Sequence, residues 1–305
     1  MTQPDTAAPQ TGLVLSHLGK SLAVEGGGGV RVCHSRRQLG SVAVGDRVLW
    51  TACGDGQGRV EEILPRRNVL TRPAHGGQSR PVAANLDRVL LVVAPEPEPD
   101  WLLADQILGV CAARGIEALL LINKSDLSLP KDMAEELAVY AKAGYALHRI
   151  STRSGEGLEA FGALLKEGVS LFAGQSGVGK SSLTQRFLPG RDIRVGALSS
   201  GSGHGRHTTT AATLYHMAQG GCLIDSPGVA IFGLADLSPG QLADGFVEFR
   251  PHSARCRFND CRHTDDAGCA VRRAVESGEI DTRRYRRYVK LLELLPKPAW
   301  QTARR

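Results

Sequence analysis

The sequence of 305 residues, 42% of them hydrophobic, is longer than one typical domain, so we expect two or three modules with buried cores. No apolar run is long enough to span a membrane, and the polar residues 1–10 do not resemble a signal peptide. These features argue against a membrane protein and an exported one. Seven cysteines without an export signal argue against a disulfide framework and predict a cytoplasmic protein.

The net charge of +6 is unevenly distributed. Residues 1–80 contain 10 Lys and Arg against 6 Asp and Glu, residues 81–239 contain 13 against 16, and residues 240–305 contain 14 against 9. The basic flanks favour contact with a polyanion, whereas the slightly acidic centre is typical of a soluble enzyme.

In chain order, residues 1–10 are predicted to be a disordered tail and residues 11–72 a small β-barrel. Short β-prone stretches alternate with glycine-rich turns and show no helical period. A five-stranded OB-type barrel fits this length, although another small β-module would show the same pattern. Residues 73–83, in a basic stretch with glycine and proline, are predicted to be a linker. The predicted strands are 12–16, 29–33, 46–51 and 59–64.

Residues 84–236 alternate between buried-strand and amphipathic-helix patterns, which predicts an α/β domain with a doubly wound parallel sheet. The predicted strands are 89–94, 118–123, 147–151, 169–173 and 222–225. The predicted helices are 101–114, 133–142, 158–166 and 181–187. Strand patterns are absent from residues 237–305, which are predicted to form a small α-helical domain.

A phosphate-binding motif of the form GxxxxGKS occupies residues 174–181. It follows an apolar strand and opens a helix, so its backbone N–H groups and the helix N-terminus are expected to attract phosphate. Lys180 is expected to reach the β- and γ-phosphates. The expected GTP-binding residues of this segment are Gly174, Gln175, Ser176, Gly177, Val178, Gly179, Lys180, Ser181 and Ser182.

An NKxD motif at residues 123–126 predicts guanine selection. The carboxylate of Asp126 can accept hydrogen bonds from both N1–H and the N2 amino group of guanine, which adenine does not offer, so GTP is favoured over ATP. Asn123 is expected to anchor the other edge of the base, and the Lys124 stem to pack over the ring. Ser151 ends the next predicted strand and fits the loop that meets guanine O6.

A DxxG motif at residues 225–228 is the predicted γ-phosphate sensor. Asp225 is expected to hold Mg²⁺ through water, and the Gly228 N–H to meet the γ-phosphate. Thr209 is expected to close over Mg²⁺ as a catalytic switch residue. Thr208 is the second choice, and an ordinary threonine-rich surface loop is the alternative. The expected Mg²⁺ ligands are Ser181, Thr209 and Asp225.

The residue after DxxG is Val229, which cannot orient the attacking water as a glutamine does in Ras-like enzymes. His207, directly before the threonines, is the catalytic candidate for this role; the alternative is a solvent-exposed loop histidine. The neighbouring segment 199–205 is rich in glycine and serine, so we expect a partner to order it. These features predict a switch-like enzyme.

A second cluster has the composition of a closed tetrahedral zinc site: Cys256, Cys261, His263 and Cys269. A small domain with few aliphatic residues needs a stabilising element such as a structural metal site. Reduced, unliganded cysteines are the alternative, and His252 is a competing ligand. Beyond the cluster, Arg272, Arg273 and the segment Arg-Arg-Tyr-Arg-Arg-Tyr at 283–288 combine charge and aromatic rings on predicted helical stretches. This pattern favours RNA contact over a merely solvated helix face.

The nucleotide motifs come in an unusual order, with NKxD ahead of the phosphate loop and DxxG, which indicates a circularly permuted GTPase. With this order, the sequence Gly-Arg-His-Thr-Thr-Thr at 205–210 and the zinc spacing, the chain resembles the ribosome small-subunit-dependent GTPase A family, RsgA (also called YjeQ or EngC). Segments 44–48, 65–73 and 84–87 extend the resemblance over nearly the whole chain. Residues 266–268 depart from it, because the family often has an acidic residue and proline there.

The resemblance implies an OB barrel, a permuted GTPase domain and a zinc domain that act late in 30S ribosomal subunit maturation, with GTP hydrolysis stimulated by that subunit. It implies 16S rRNA as a partner, one structural Zn²⁺, Mg²⁺ with GTP, and His207 in the place of the family's proposed catalytic histidine. We expect a monomer. The alternatives are an RNA-binding scaffold and an ATP-dependent nucleic-acid motor, the latter disfavoured by Asp126.

The permutation has a predicted consequence for how the modules are connected. Within about thirty residues of Gly228 the chain enters the cysteine cluster, while the barrel is expected to join near the guanine side. We therefore expect the γ-phosphate sensor to be coupled directly to an RNA-binding module.

Overall fold

The computed structural model describes residues 8–36, 38–73, 79–190, 212–226, 233–234 and 236–296. Its first strands are β1 (Gln10–Leu18), β2 (Ser21–Gly26), β3 (Gly29–Ser35), β4 (Arg47–Ala52) and β5 (Gly58–Ile63). They form a closed barrel in the order β1-β2-β3-β5-β4, with β4 returning to β1. The predicted five-stranded OB-type barrel is confirmed; β2 is the strand that the sequence pattern missed.

Trp50 fills the centre of the barrel. Its side chain is 1% exposed and packs among buried valines of the neighbouring strands. A Cβ at Gly58 would lie 2.7 Å from the Trp50 ring, and one at Gly12 would lie 2.8 Å from it. The barrel therefore needs glycine at these two positions so that the ring can fit.

Two further strands, β6 (Val69–Pro73) and β7 (Ser79–Ala84), form a separate antiparallel hairpin. They occupy and flank the stretch predicted to be a linker, in which the sequence pattern indicated no strand. A parallel bridge joins Val44 to Ala83, and the Ala84 N–H donates to the Val44 carbonyl at 2.8 Å. The connection between the barrel and the rest of the chain therefore contains ordered strands that are bonded to the barrel.

The α/β part has six strands in the order β10-β9-β8-β11-β13-β12, all parallel except β12. Helices α1 and α2 cover one face of this sheet, and α3 and α4 cover the other. Every predicted strand and helix is present within two residues of its expected bounds, and β12 is additional. The elements are β8 (Arg88–Val93), α1 (Trp101–Ala113), β9 (Glu117–Ile122), α2 (Lys131–Lys142), β10 (Leu147–Arg149), α3 (Leu158–Leu164), β11 (Val169–Ala173), α4 (Lys180–Phe187), β12 (Thr213–His216) and β13 (Cys222–Asp225).

The sheet continues into the barrel, because β12 pairs with β1 through Thr213 and Ser16. A side-chain pair supports this junction, with His216 Nε2 lying 2.8 Å from Glu25 Oε2. The barrel thus lies at the opposite edge of the sheet from β9 and β10. The chain of the barrel leads into β8, the neighbour of β9, as expected for a connection near the guanine side. The barrel itself packs at the other edge of the sheet, where β1 pairs with the otherwise unpaired side of β12.

The C-terminal part consists of α5 (Pro239–Gly245), α6 (Arg250–Ser253), α7 (Ala270–Glu276) and α8 (Thr282–Glu293). Helix α5 lies against α1 at very short range, since a Cβ on Gly245 would be 2.6 Å from the Gly109 carbonyl oxygen. Glycine at position 245 permits this approach. Within the described ranges, no helix is long and apolar enough to cross a membrane.

Helix α8 does not present its arginines and tyrosines as one exposed surface. Arg284 is 1% exposed and Tyr288 is fully buried. Because an α-helix has 3.6 residues per turn, positions 284, 287, 288 and 291 share one face, and that face packs towards α1 and α5. The prediction that residues 283–288 as a whole contact RNA is therefore wrong. Arg286 and Lys290 are the basic residues of this stretch that stay exposed.

Candidate nucleotide-binding site and metal centre

The predicted nucleotide motifs meet at one edge of the parallel sheet. Asn123 directly follows β9, Gly174 directly follows β11, and Asp225 is the last residue of β13. Ser151 lies two residues after β10. The carboxyl ends of parallel strands share an edge, and open α/β sheets bind their ligands there. The fold therefore brings these residues together although they are spread over about a hundred positions.

Two glycines fix the shape of the loop at residues 174–180. Gly174 has φ +129°, and a Cβ there would lie 2.3 Å from the Val92 carbonyl oxygen. Gly179 has φ +98°, and its Cβ would lie 2.2 Å from Asn123 Nδ2. Both positions require glycine because of conformation and close approach. The loop leads into α4, whose first backbone N–H groups have no partner inside the helix, so the fold presents a concave set of donors suited to an anion.

Lys180 is the cationic residue of this loop. Its ammonium donates to the carbonyl oxygens of Gly174 at 2.7 Å and Gln175 at 2.5 Å, and burial lowers its pKa. Carbonyls offer only partial charge, so an anionic phosphate would be a stronger partner for this half-buried ammonium.

The NKxD residues are attached to the loop and to the segment before α1. Asn123 is buried; its Nδ2 donates to the Val178 carbonyl at 2.8 Å, and its Oδ1 has no hydrogen-bond partner among the described residues. The Lys124 ammonium donates to the Glu96 carbonyl at 2.7 Å. A buried, unpartnered amide oxygen at this edge fits a site that is completed by a ligand or a water.

The carboxylate of Asp126 is bonded to Ser151, which is also predicted to line the guanine pocket. The Ser151 hydroxyl donates to Asp126 Oδ1 at 2.6 Å, and this hydrogen bond lowers the pKa of Asp126. Arg153 lies 4.0 Å from the other carboxylate oxygen. An ionised carboxylate offers only acceptors, which is what the N1–H and N2 amino donors of guanine require.

Gln175 connects the loop to α1, a contact that the motif alone did not predict. Its Oε1 accepts from the Asp100 N–H at 2.5 Å, and its Nε2 donates to the Glu98 carbonyl at 2.7 Å. Asp100 also caps α1 by accepting from the Leu103 N–H at 2.9 Å. The N-terminus of α1 is therefore tied to the loop.

Four side chains form a potential metal centre: Cys256, Cys261, His263 and Cys269, whose donor atoms all lie within 4.8 Å of one another. His263 Nδ1 lies 3.6 Å from the Cys256 sulfur and 3.5 Å from the Cys269 sulfur. Burial lowers the pKa of His263, which favours the neutral imidazole that ligates metals. Among the described residues, this cluster of donors can hold one metal ion.

Neighbouring side chains fix the orientation of the ligand loop. Ser253 Oγ lies 3.4 Å from His263 Nε2, which leaves Nδ1 directed at the sulfurs. The Tyr285 hydroxyl donates to the His263 carbonyl at 2.8 Å, and the Tyr288 hydroxyl donates to the Arg262 carbonyl at 2.7 Å. Helix α8 thus holds the ligand loop through its tyrosines, an outer layer of contacts typical of metal sites.

A buried charge cluster joins the C-terminal part to the sheet domain. Arg284 pairs with the buried Asp105 of α1 and, at 2.6 Å, with Glu248. Arg287 reaches the other oxygen of Asp105 at 2.5 Å and Glu136 of α2 at 2.9 Å. The partners lie 36 to 182 residues apart in sequence, so local patterns did not reveal them. The sequence signal that could have indicated burial was the spacing of Arg284, Tyr288 and Leu291, which places them on a single helix face.

The chain that leaves β13 returns to the β6–β7 hairpin. The Gly233 N–H donates to the Thr71 carbonyl at 2.9 Å. Asp236 accepts from the hydroxyls of Thr71 at 2.7 Å and Ser79 at 2.6 Å. The path from the DxxG strand to α5 is therefore bonded to the strands that lead out of the barrel. Several predicted residues lie outside the described ranges: His207, Thr208, Thr209, Gly228, Val229 and the segment 199–205.

Comparison with known proteins decides the family. The profile described as RsgA GTPase matches residues 63–235, which is more than half of the chain. The chain belongs to the RsgA GTPase family. It is 45% identical over 97% of its length to the small ribosomal subunit biogenesis GTPase RsgA of Azotobacter vinelandii, of which 89% is covered. It is 47% identical over 93% of its length to the protein of the same name from Chromohalobacter salexigens, of which 86% is covered.

Two solved structures match nearly the whole chain. The crystal structure of YjeQ from Thermotoga maritima is 33% identical, with a TM-score of 0.74, and covers 94% of this chain and 98% of its own. The structure of YloQ, described as a circularly permuted GTPase, is 27% identical, with a TM-score of 0.72, and covers 98% of this chain and 100% of its own. As an RsgA-family protein, the chain is a GTP-hydrolysing enzyme with a circularly permuted fold.

Proposed function

We propose that this RsgA-family enzyme hydrolyses GTP when it contacts the 30S ribosomal subunit and that it acts in the biogenesis of that subunit. The observation that carries the proposal is that the phosphate loop, the NKxD motif, Ser151 and Asp225 meet at one edge of the sheet. The relatives of the chain are named for small ribosomal subunit biogenesis, which supports the biological role. The enzyme would act as a monomer in the cytoplasm, where subunits are assembled.

The roles of the site residues follow from their chemistry. Residues 174–182 would surround the phosphates, with Lys180 neutralising their charge. Ser181, Asp225 and Thr209 would hold Mg²⁺, which supplies charge stabilisation to the transferring phosphoryl group. Asn123, Lys124, Asp126 and Ser151 would bind guanine, and the Gly228 N–H would meet the γ-phosphate.

Asp126→Asn is expected to weaken GTP binding by about 100-fold or more, because two charge-assisted hydrogen bonds, each worth about 1.5–3 kcal/mol, are lost. An amide can instead donate to the carbonyl at position 2 of xanthine, so relative affinity should shift towards xanthosine triphosphate. Fluorescent-nucleotide titration would measure both constants. Unchanged GTP affinity would contradict the assignment of Asp126, and Glu159→Gln on the exposed start of α3 is the matched control.

His207 would position the attacking water, a role that Val229 cannot take. His207→Ala is expected to lower GTP hydrolysis on the 30S subunit by about 10²–10⁴-fold, the range for a positioned proton-transfer group, with GTP affinity retained. Single-turnover hydrolysis on purified subunits measures the rate. Normal hydrolysis by this variant would refute the catalytic assignment. His34→Ala, at an exposed barrel position, serves as the control.

The metal held by the cysteine cluster would be one structural Zn²⁺. With Zn–S near 2.3 Å and Zn–N near 2.05 Å, tetrahedral geometry gives an S···N separation of about 3.6 Å. The Cys256 and Cys269 sulfurs lie 3.6 and 3.5 Å from His263 Nδ1, which supports this choice. Three thiolates and one imidazole suit a closed site with no open position for chemistry.

Cys269→Ser is expected to reduce bound zinc and to destabilise the C-terminal part. Loss of outer contacts alone costs 10–100-fold in metal affinity, so loss of a ligand should cost at least about 100-fold. Elemental analysis of purified protein and thermal unfolding would report both effects. Cys53→Ser, an exposed cysteine of the barrel region, should change neither. Full zinc occupancy in Cys269→Ser would contradict the ligand assignment.

Contact with 16S rRNA would involve the basic barrel and the zinc domain. The barrel lies at the DxxG side of the sheet, where it pairs with β12, next to β13. The zinc domain packs on α1 and α2 and is connected to the DxxG side by the chain, which runs after β13 by way of Asp236 to α5. Nucleotide-dependent movement of the DxxG segment would therefore reach the hairpin and the zinc domain together. This coupling is the physical basis of the proposed switch.

Co-sedimentation with purified 30S subunits tests the association. We expect the protein to pellet with 30S in the presence of a non-hydrolysable GTP analogue and to remain largely in the supernatant with GDP. The 50S subunit is the control. Equal association with 30S and 50S, or no dependence on the nucleotide, would contradict the proposed function.

A further inference from the structure

Phe258 is placed differently from the other aromatic rings of the C-terminal part. Phe246, Phe249, Tyr285 and Tyr288 pack against one another, with centroid separations between 5.0 and 6.4 Å. Among the described rings of residues 233–296, Phe258 alone is exposed, at 45%. Its ring makes no stabilising contact with that aromatic core.

The loop that carries Phe258 is held at both ends. Cys256 and Cys261 of the metal cluster flank it, and the Cys261 N–H donates to the Phe258 carbonyl at 3.3 Å. The Arg257 N–H donates to the carbonyl of Gly268 at 3.4 Å. Ligands at fixed positions leave the loop little freedom, so the ring is presented to solvent in a defined place. A rigid, preformed contact loses little entropy on binding.

Positive charge predominates near the exposed ring, since three arginines and one acidic residue, Asp260, lie within four residues of it. The Arg257 guanidinium carbon lies 5.4 Å from the Phe258 ring centroid. Arg255 and Arg262 lie within four residues of Phe258 on either side. Arg262 also lines an open groove of about 830 Å³ that has Arg272, Arg286 and Lys290 on its walls, together with three acidic residues. The surroundings favour an anionic ligand with a flat, stackable group.

We propose that Phe258 is a stacking platform for an unpaired RNA base, with the adjacent arginines contacting the flanking phosphates. Unpaired bases stack on aromatic rings and on arginine planes, whereas the bases of a duplex are shielded by their neighbours. The inference deepens the proposed function and rests on it, since it names single-stranded rRNA as the element that the zinc domain recognises.

Binding of short RNAs to the full-length, zinc-loaded protein tests the inference. Fluorescence anisotropy would compare a single-stranded RNA of about 12 nucleotides, within the usual site size, with the same sequence as a duplex. Phe258→Ala is expected to weaken binding of the single strand roughly 5- to 150-fold, the loss of one stacked base. Phe258→Tyr should retain wild-type affinity, and Leu164→Ala, an exposed apolar residue of α3 (43% exposed), should also bind normally.

A spectroscopic readout separates stacking from general damage. With 2-aminopurine in the single strand, wild type and Phe258→Tyr should change its fluorescence on binding, and Phe258→Ala should not. Zinc content and thermal unfolding of all variants should match wild type, because the ring lies outside the core. The slope of affinity against salt should be unaltered, since the phosphate contacts remain.

Each contrary result overturns the inference. These results are unchanged affinity in Phe258→Ala, an equal loss for single strand and duplex, no RNA binding by wild type, or a defect in 30S association without a defect in RNA binding, which would indicate a protein partner. The proposed function is tested separately by nucleotide-dependent 30S association of the wild-type protein. It can therefore stand when the role of Phe258 fails.

Discussion

Arg284→Ala is expected to lower the free energy of unfolding by about 3–5 kcal/mol, the cost of breaking a buried ion pair by removing one partner. The Arg284 side chain is 1% exposed and Asp105 is fully buried. The Arg284 guanidinium also donates to both carboxylate oxygens of Glu248, at 2.6 and 3.0 Å. Truncation leaves Glu248 without its arginine partner and leaves the fully buried Asp105 with Arg287 as its remaining cationic partner.

Packing adds to the electrostatic loss in this variant. The guanidinium carbon lies 4.6 Å from the Phe246 ring centroid and 5.0 Å from that of Tyr140. Burial and the neighbouring Asp105 raise the pKa of Tyr140, so Tyr140 stays a phenol and donates to Asp105. Alanine would leave a cavity among these rings in addition to the lost charge pairing.

Urea denaturation of Arg284→Ala and Arg286→Ala gives the comparison. Arg286 is exposed on the same helix, so its truncation should change stability by less than about 0.5 kcal/mol. We expect the Arg284 variant to show an early transition of the C-terminal part. Equal midpoints for the two variants would show that the buried cluster does not hold the zinc domain to the sheet domain.

Lys180→Ala is expected to lower kcat/KM for GTP by about 10³-fold or more, because removal of a single preorganised donor already costs 10²–10³-fold and this one carries a full charge. The lysine sits half-buried in the phosphate loop, where water replaces it poorly. Phosphate release assays would measure the rate. Lys131→Ala, at the exposed start of α2, should retain wild-type activity.

Two outcomes would contradict the account of the loop. A Lys180→Ala enzyme with near-normal kcat/KM would remove the lysine from transition-state stabilisation. A loss confined to KM, with kcat unchanged, would mean that Lys180 stabilises the bound ground state and the transition state equally.

The parts of the fold that could be predicted are those with a recognisable pattern in a short stretch of sequence. Apolar runs between helical patterns located the five parallel strands, and the motifs that follow them are contiguous in sequence. By contrast, the strands β2, β6, β7 and β12 are short and have no strong alternation. Strand β12 is stabilised by its pairing with β1, almost 200 residues away in sequence, which a local pattern cannot indicate.

Helix α8 shows the same limit at the level of single residues. Its arginines looked like a nucleic-acid surface because their partners, Asp105, Glu136 and Glu248, lie on distant elements. Composition reports charge but not which charges are paired. The grouping of the Cys and His side chains that can hold a metal ion, which lie within 14 residues of one another, was predictable from spacing alone. The roles of His207 and Thr209 stay predictions.

The barrel lies at the edge of the sheet opposite the predicted guanine site. Guanine would bind beside β9 and β10, while the barrel adjoins β12 at the other edge. The barrel therefore lies away from the proposed guanine site, whereas the C-terminal part packs on α1 and α2, the helices that precede and follow β9. We therefore expect contact of the barrel with RNA to change the rate of hydrolysis more than the nucleotide affinity.

The rate of GTP hydrolysis with and without purified 30S subunits tests this account most directly. We predict that 30S raises kcat by roughly 10-fold or more, as expected when a partner completes a GTPase site, that 50S has little effect, and that the affinity for GTP changes little. A protein that binds GTP normally but hydrolyses it at the same rate in the presence and absence of 30S would contradict the central claim.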